Sequence, residues 1–389
     1  MKTQSVLISG GSIAGTALAY WLRRHGFEVA IVELTPQLRK GGQAIDVRGP
    51  AVEVAERMGV LESLRARRIV SHGMSMVDGD GTEVYRSTEQ TLTGGEIGSP
   101  DVEILREDLA QVMAGAAEGV EYIFGDSITE IRQDGDGVTV EFQNHPERRF
   151  DLVIGADGLH SNTRRLVYGD EQDHITHLGT YLAVWTVPNF LDLKNWQVFH
   201  QMPGDSWGGG VMSVRDNTEC RAYLGFEEAE PLVYDYRDLD AQKRILADRL
   251  GNGAWILPKL LDHMWQADDF HFDSMAQIHL DHWSVGRVAL VGDAAHCGSP
   301  LSGQGTSLAM VGAYVLAGEL KAAGGDHEIA FGNYQAEIGA WVADNQHMAL
   351  TNKARVEAQR NGDSEEEPGL STDDDFRRIV DGYKLKDYA

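Results

Sequence analysis

The chain has 389 residues, of which 42% are hydrophobic and 24% are charged, and its formal net charge is −26. This length predicts two or three domains with ample material for a hydrophobic core. The acidic excess argues against nucleic acid and anionic membrane surfaces as partners, because both would be repelled. No run of 18 or more apolar residues occurs, so no membrane-spanning helix is expected.

The two cysteines, Cys220 and Cys297, are too few to build a disulfide framework, which favours a reducing compartment. The chain enters an apolar strand within a few residues of Met1. A signal peptide would need a longer apolar stretch and a small-residue cleavage site. We therefore expect a cytoplasmic protein, whose oligomeric state the sequence leaves open.

The first predicted unit is a strand, a helix and a second strand. Ser5–Ile8 is a short apolar strand, and Ile13–Arg24 has apolar residues every four positions, which is typical of an amphipathic helix. Val29–Val32 is then a second strand that ends at Glu33. Such a unit is expected to be parallel and right-handed, as in dinucleotide-binding folds.

A glycine-containing loop joins the first strand to the first helix. It reads Gly10-x-Ser12-x-x-Gly15, with serine where the usual dinucleotide pattern has its second glycine, and Ile13 and Ala14 open the helix. The free amides of this helix start would hold a pyrophosphate. Glu33 follows Gly10 by 23 residues, near the spacing expected for an acid that binds ribose hydroxyls. The alternative is a tight turn with no ligand.

The middle of the first half alternates helices and hairpins. Helical patterns cover 52–58, 61–67 and 105–117, and Asp-Gly turns separate short strands near residues 80 and 136. Leu152–Ile154 is a buried strand that leads into Asp157 and Gly158. Asp157 is a candidate cofactor ligand, although aspartate in this position can also cap a helix.

The sequence pattern changes over residues 171–278, where aromatic and apolar residues alternate with polar ones at a period of two. This pattern is typical of half-buried antiparallel strands and predicts a second domain built on a sheet. A bulky planar ligand needs apolar walls with few polar anchors. Candidate substrate residues on these strands are Trp185, His200, Arg221 and Tyr223. The alternative is that each of them is simply core.

A third buried strand, Val288–Val291, resumes the first domain and ends at Gly292 and Asp293. An acid at a strand end can accept hydrogen bonds from the ribityl hydroxyls of a flavin. After Pro300, a helix begins beyond Gly303-Gln304-Gly305, and its N-terminal dipole of about +0.5 charge would stabilise reduced flavin. The alternative is another capped helix.

These elements predict an α/β protein with a Rossmann-like FAD-binding domain, an inserted antiparallel-sheet domain that binds substrate, and a long C-terminal helix. The FAD-binding domain is discontinuous, and the polar, acidic stretch 361–368, with Asp373–Asp375 soon after it, is expected to be a mobile surface segment. The predicted boundaries are residues 1–72, 98–170 and 279–330 for FAD binding, 73–97 and 171–278 for substrate binding, 331–360 for the helix and 361–389 for the tail.

Three segments together resemble the class A FAD-dependent flavoprotein monooxygenases. Residues 151–164 are similar to the family's DG motif, 286–305 to its GD motif, and 103–109 to the segment that carries a cofactor-contacting arginine, here Arg106. The similarity reaches to about residue 350. Within the family, the chain resembles tetracycline-inactivating and polyketide-tailoring members.

The resemblance implies an enzyme that binds FAD, is reduced by NADPH or NADH, and hydroxylates an aromatic or polyketide-like small molecule with O2 through a flavin hydroperoxide. The cofactor carries this chemistry, so no catalytic side chain is predicted. The resemblance also places Arg39 and Asp46 near the flavin or nicotinamide. Two alternatives stay open: epoxidation or Baeyer–Villiger insertion on the same frame, and a flavin-retaining protein that sequesters a planar ligand.

Metal chemistry is not expected from the sequence. It contains neither a His-Glu-x-x-His helix nor paired cysteines, and its 14 histidines are scattered. His296 follows the acidic motif after the third strand, where a lone histidine is more often structural. The sequence predicts no metal site.

Overall fold

The computed structural model describes residues 4–200, 207–251, 253–361 and 374–388. The helices are α1 (Ile13–Arg24), α2 (Pro50–Arg57), α3 (Leu61–Ala66), α4 (Arg106–Ala116), α5 (Asn162–Tyr168), α6 (Leu239–Leu250), α7 (Leu257–Met264), α8 (Asp293–His296), α9 (Gly305–Ala322), α10 (His327–Asn361) and α11 (Asp374–Val380).

The strands begin with β1 (Ser5–Ser9), β2 (Glu28–Glu33), β3 (Ala44–Val47), β4 (Met74–Val77), β5 (Glu83–Ser87), β6 (Gln90–Thr91), β7 (Gly95–Glu96), β8 (Val102–Leu105), β9 (Glu121–Phe124) and β10 (Ile128–Asp134). They continue with β11 (Gly137–Phe142), β12 (Arg148–Phe150), β13 (Leu152–Gly155), β14 (Ile175–Pro188), β15 (Gln197–His200), β16 (Trp207–Val214), β17 (Glu219–Glu227), β18 (His271–Ile278), β19 (Ser284–Val285) and β20 (Val288–Leu290).

The first sheet has the order β19-β20-β13-β1-β2-β9, and all of its pairs are parallel except β19 with β20. Ser9 lies beside Val32 and Gly155, and Gly155 lies beside Leu290. The carboxyl ends of β1, β2, β13 and β20 therefore lie along one edge of the sheet. Ligands of open α/β sheets bind outside this edge.

The second sheet has the order β18-β14-β17-β16-β15-β4-β5. Its neighbours are antiparallel except β15 and β4, which are parallel. Strands β4 and β5 come from residues 73–97, and the other five come from residues 171–278. The predicted segments therefore contribute to one sheet, while the domain boundaries themselves stay a prediction.

The two faces of this second sheet have different neighbours, because successive side chains of a strand point to opposite faces. One face, here called the far face, packs against α6 and α7 through residues such as Ala222, Leu246 and Leu260. The other, called the near face, packs against Leu105 of β8 and Ala44 of β3. The ribbon β3–β8 thus separates the near face from the core of the first domain.

The C-terminal part of the chain is described only in part. The predicted mobile segment falls mainly on residues 362–373, which lie outside the described residues, so it stays a prediction. Beyond it, α11 and the segment to Tyr388 pack on α9 and α10. The Trp341 indole donates to the Ile379 carbonyl at 2.9 Å, and the Tyr388 hydroxyl donates to Glu319 at 2.7 Å. Val380 and Tyr388 of this segment are buried, so the segment contributes apolar side chains to the packing. Its acidic composition gave no indication of this.

Candidate FAD and substrate site

The loop between β1 and α1 is as tight as its glycines predict. Gly10 has φ +102°, and a Cβ there would lie 2.5 Å from the Ala156 carbonyl oxygen. A Cβ on Gly15 would lie 1.9 Å from the carbonyl oxygen of Gly10, so only glycine lets α1 approach β1 this closely. Ser12 is the N-cap of α1, and its side chain makes no capping bond to the helix. The first amides of Ile13, Ala14 and Gly15 are thus available to an anion.

Glu33 supports this loop directly. Its Oε2 accepts a hydrogen bond from the Gly11 amide at 2.7 Å, and its Oε1 accepts one from the Thr35 amide at 3.0 Å. A carboxylate held in place by backbone donors is well positioned for a further charge-assisted hydrogen bond. Its predicted contact with ribose hydroxyls stays a prediction.

Asp157 is engaged by the protein itself. Its Oδ2 accepts hydrogen bonds from the Thr163 amide at 2.9 Å and from the Ser9 hydroxyl at 3.1 Å, and its Oδ1 accepts one from Ser161. These bonds tie the start of α5 to the end of β1. The alternative reading of a helix-supporting aspartate therefore has direct structural support, and a cofactor contact would be additional.

Asp293 begins α8, three positions after the end of β20. The N-cap of this short helix is Gly292, with φ +64°, so Asp293 is not the capping residue. Burial raises the pKa of Asp293, and the neighbouring Cys297 side chain partly opposes this shift. The side chain keeps partial exposure at the carboxyl edge of the sheet. It can therefore accept hydrogen bonds from a ligand in that position.

The loop before α9 contains an unsatisfied amide. Pro300 lies exposed in a 3-10 turn, Gly303 adopts the left-handed conformation with φ +63°, and Gln304 caps the helix. Gln304 is fully buried, yet neither its Oε1 nor its Nε2 has a hydrogen-bond partner among the described residues. A Cβ on Gly305 would meet open space. Buried polar atoms without partners are costly, so this loop fits a polar ligand such as a flavin ring.

Arg106 and Arg39 connect the glycine loop to a second loop. Arg106 starts α4 and donates to the Ser12 hydroxyl at 3.2 Å and to the Arg39 carbonyl at 3.3 Å. Its Nε is buried without a partner in the described part of the chain. Burial and the nearby Arg39 lower the pKa of Arg106 to about 10, so the group stays cationic at neutral pH. Arg39 itself is exposed beside it.

Asp46 belongs to a buried carboxyl pair that the sequence reasoning missed. It lies opposite Glu103 in the β3–β8 ribbon and forms an ion pair with Arg48 at 2.8 Å. Burial is the main cause that raises the pKa of Glu103 to about 8, and the negative charge of Asp46 is the next. Burial also raises the pKa of Asp46 to about 6, although the positive charge of Arg48 lowers it. Thr93 shares a hydrogen bond with Glu103 at 2.5 Å. The two acids are 57 positions apart in the sequence, which gave no local signal of this pairing.

This pair predicts a pH dependence of stability. In the unfolded chain, glutamate ionises near pH 4.5, whereas folded Glu103 keeps its proton up to about pH 8. The folded state binds more protons in this interval, so the free energy of unfolding should fall as pH rises. Urea unfolding from about pH 5 to about pH 8 should show a shallower fall for Glu103→Gln. The exposed control Glu62→Gln should retain the wild-type slope, and an unchanged slope in both variants would contradict the assignment.

The four candidate substrate residues divide between the two faces of the second sheet. Trp185 pairs with Ala222 and lies in the far-face core, fully buried under α6 and α7. His200 is also on the far face, where it stacks on Trp207 at 4.6 Å. Both residues thus lie on the face that α6 and α7 cover, and their role in substrate binding stays a prediction. Strand alternation defines two faces without saying which one is covered by helices.

Arg221 and Tyr223 lie on the near face, but both are buried and bonded to the protein. Arg221 is 1% exposed, and its guanidinium donates to Glu107, Glu219 and the Gly42 carbonyl. The Tyr223 hydroxyl accepts from the Ala44 amide at 2.8 Å. Glu107 was missed, although its position directly after Arg106 on α4 was a usable signal.

Other titratable groups have structural roles. His296 is buried beside Trp283, and its Nε2 shares a hydrogen bond with the Tyr334 hydroxyl at 3.1 Å. Among the described residues, no three His, Cys, Asp or Glu side chains are grouped so that they could hold a metal ion. Within the same residues, no helix is both long enough and apolar enough to cross a membrane.

Comparison with known proteins agrees with this arrangement. Residues 3–328 match the family described as FAD binding domain. The chain is 52% identical, over all of both chains, to the uncharacterized protein Rv1260 of Mycobacterium tuberculosis, and 39% identical to a flavin-dependent monooxygenase of Legionella longbeachae, covering 90% of this chain and 88% of that one. The crystal structure of tetracycline destructase Tet(51) superposes with a TM-score of 0.87 at 34% identity, covering 99% of this chain and 100% of that one.

The chain therefore belongs to the FAD-binding family of flavin-dependent monooxygenases. It is an FAD-dependent monooxygenase of the class A type, with the mixed α/β architecture of that class.

Proposed function

We propose that this enzyme takes electrons from NADPH or NADH and hydroxylates a planar aromatic or polyketide-like small molecule with O2. The observation that carries the proposal is the convergence of the Gly10–Gly15 loop, Asp293 and the start of α9 at one edge of the first sheet. The likeness to a tetracycline destructase supports a polycyclic substrate. The two buried free cysteines support a cytoplasmic location.

The residues present fit FAD, which supplies the redox chemistry when it is bound. The first amides of α1 and the Ser12 hydroxyl would hold the pyrophosphate, with Arg106 bridging from α4. Asp293 would accept hydrogen bonds from ribityl hydroxyls. Gln304, whose amide lacks partners, would bond the polar edge of the ring.

The start of α9 would stabilise negative charge on the reduced cofactor. Its 18 residues align their peptide dipoles, and the first amides carry a partial charge of about +0.5. The near face of the second sheet would close the other side of the site with buried apolar residues, including Met74, Phe199 and Met212. Excluding water there limits the loss of reducing equivalents as hydrogen peroxide.

A first experiment tests cofactor binding. The purified protein should be yellow and should release free FAD on heat denaturation, because the contacts described above are all non-covalent. Mass spectrometry of the supernatant identifies the flavin. A colourless protein that cannot be reconstituted with FAD would contradict the proposal.

A second experiment separates an enzyme from a binding protein. NADPH or NADH oxidation should increase when a polycyclic substrate is added, and ¹⁸O2 should label the product. The position of the label distinguishes hydroxylation from epoxidation or insertion beside a ketone. A ligand that binds without stimulating oxidation, and returns without label, would instead indicate a flavin-retaining binding protein.

A further inference from the structure

The backbone of Gly41–Ala44 is held entirely by groups from outside the segment. On the side of the first domain, the Gly41 amide donates to Glu107 Oε2 at 2.8 Å, and the Gln43 carbonyl accepts from the Arg106 amide at 3.0 Å. On the side of the second sheet, the Gly42 carbonyl accepts from Arg221 Nε at 3.2 Å, and the Ala44 amide donates to the Tyr223 hydroxyl at 2.8 Å. The segment is therefore bonded to both domains.

The segment also has a backbone conformation and close neighbours that exclude side chains at its two glycines. Gly41 has φ +67° and Gly42 has φ +103°. A Cβ on Gly41 would lie 2.3 Å from the Asp269 Cβ, and one on Gly42 would lie 2.6 Å from Arg106 Nε. The backbone thus lies in contact with both neighbouring domains in a conformation that favours glycine. Any displacement would break bonds to at least one of them.

Arg221 is buried and makes this link within a charge network that reaches the surface at Arg215. Its Nη2 donates to Glu107 Oε1 at 3.2 Å, and its Nη1 donates to Glu219 at 2.8 Å. Arg215 donates to the same Glu107 oxygen at 2.6 Å. Glu107 therefore receives bonds from Arg221 of β17 and from Arg215 in the turn before β17, while it holds the Gly41 amide. With every guanidinium nitrogen engaged, Arg221 has no unused side to offer a substrate.

We propose that Arg221 and Tyr223 are positioning residues that fix the Gly41–Ala44 segment between the inserted sheet and α4. This segment lies between Arg39 and Asp46, which the family resemblance predicts near the flavin or nicotinamide, so its position would set how closely they approach the cofactor. The proposal deepens the proposed function and rests on it for the cofactor contact. The mechanical link itself rests only on contacts within the chain.

Two tyrosine variants provide a matched test. Tyr223→Phe removes the acceptor for the Ala44 amide. Tyr181→Phe removes an equivalent acceptor for the Leu232 amide, also at 2.8 Å, from the far face of the same sheet. Both side chains are buried, so both variants should lose similar stability. Only Tyr223→Phe should affect the Gly41–Ala44 segment.

Hydrogen–deuterium exchange of a peptide covering residues 40–46 measures the link without any cofactor. It should be at least about tenfold faster in Tyr223→Phe than in wild type or Tyr181→Phe, because an amide opens when its acceptor is lost. Arg221→Lys keeps the charge but cannot make the same fork of bonds, and should also accelerate exchange. Equal exchange in all four proteins would overturn the proposal.

The functional readout is FAD affinity together with peroxide yield. Tyr223→Phe and Arg221→Lys should each weaken FAD about fivefold and increase the fraction of reductant released as peroxide, with Tyr181→Phe unchanged. Faster exchange with unchanged FAD affinity and peroxide yield would overturn the positioning role. A wild-type protein that binds no FAD would refute the proposed function, while the exchange result would still decide the mechanical link.

Discussion

Replacing Asp293 by asparagine is expected to weaken FAD binding roughly 10- to 100-fold. A charge-assisted hydrogen bond contributes about 1.5–3 kcal/mol, and about 1.4 kcal/mol corresponds to a factor of ten in affinity. The substitution keeps the side-chain volume and removes the charge that ribityl hydroxyls would meet. Flavin that remains bound should be less well oriented, so more reductant should be lost as hydrogen peroxide. Equilibrium dialysis and a peroxide assay measure the two effects.

Asp151→Asn is the matched control for this variant. Asp151 is also partly buried and accepts hydrogen bonds from the Ser5 amide at 2.7 Å and the Ser5 hydroxyl at 3.0 Å, at the start of β1 and so at the opposite edge of the sheet from the glycine loops. Its loss should lower the melting temperature and leave FAD affinity intact. If Asp293→Asn behaved in the same way, Asp293 would be a structural aspartate and its cofactor role would be refuted.

Gly305→Ala should stabilise the protein slightly and yet weaken FAD binding at least about tenfold. Alanine favours a helix over glycine by up to about 1 kcal/mol, and its Cβ would meet open space in the cofactor-free protein. If the flavin ring occupies that space, the added methyl group overpacks the site at a cost of about 1–3 kcal/mol. Thermal unfolding of the apoprotein and FAD titration are measured on the same preparation.

Gly332→Ala provides the comparison, because Gly332 lies inside α10 and a Cβ there would also meet open space. Both variants should gain stability, and only Gly305→Ala should lose affinity for FAD. Equal affinity in the two variants would mean that the start of α9 does not contact the cofactor.

Local patterns in the sequence were sufficient to predict the cofactor-binding frame. The β1–α1–β2 unit follows from apolar spacing, and Gly10, Glu33, Asp157 and Asp293 each follow a predicted strand of the same sheet. In a parallel sheet, the carboxyl ends of neighbouring strands share one edge, so residues far apart in sequence meet there. This meeting can be predicted without any knowledge of side-chain packing. The structure confirms this arrangement of strand ends.

The position of the candidate substrate residues could not be predicted from local sequence patterns. The alternation of apolar residues shows that the strands carrying Trp185 and Tyr223 have two distinct faces. Helices α6 and α7 cover one of these faces, and they do so through contacts between residues distant in sequence. The pairing of Asp46 with Glu103 likewise depends on strand register. Side-chain periodicity is a property of neighbouring residues, whereas the partner of each face is set by long-range packing. The position of the cofactor loops was therefore readable from the chain, and the roles of Arg221, Tyr223 and the C-terminal segment emerged only from the folded molecule.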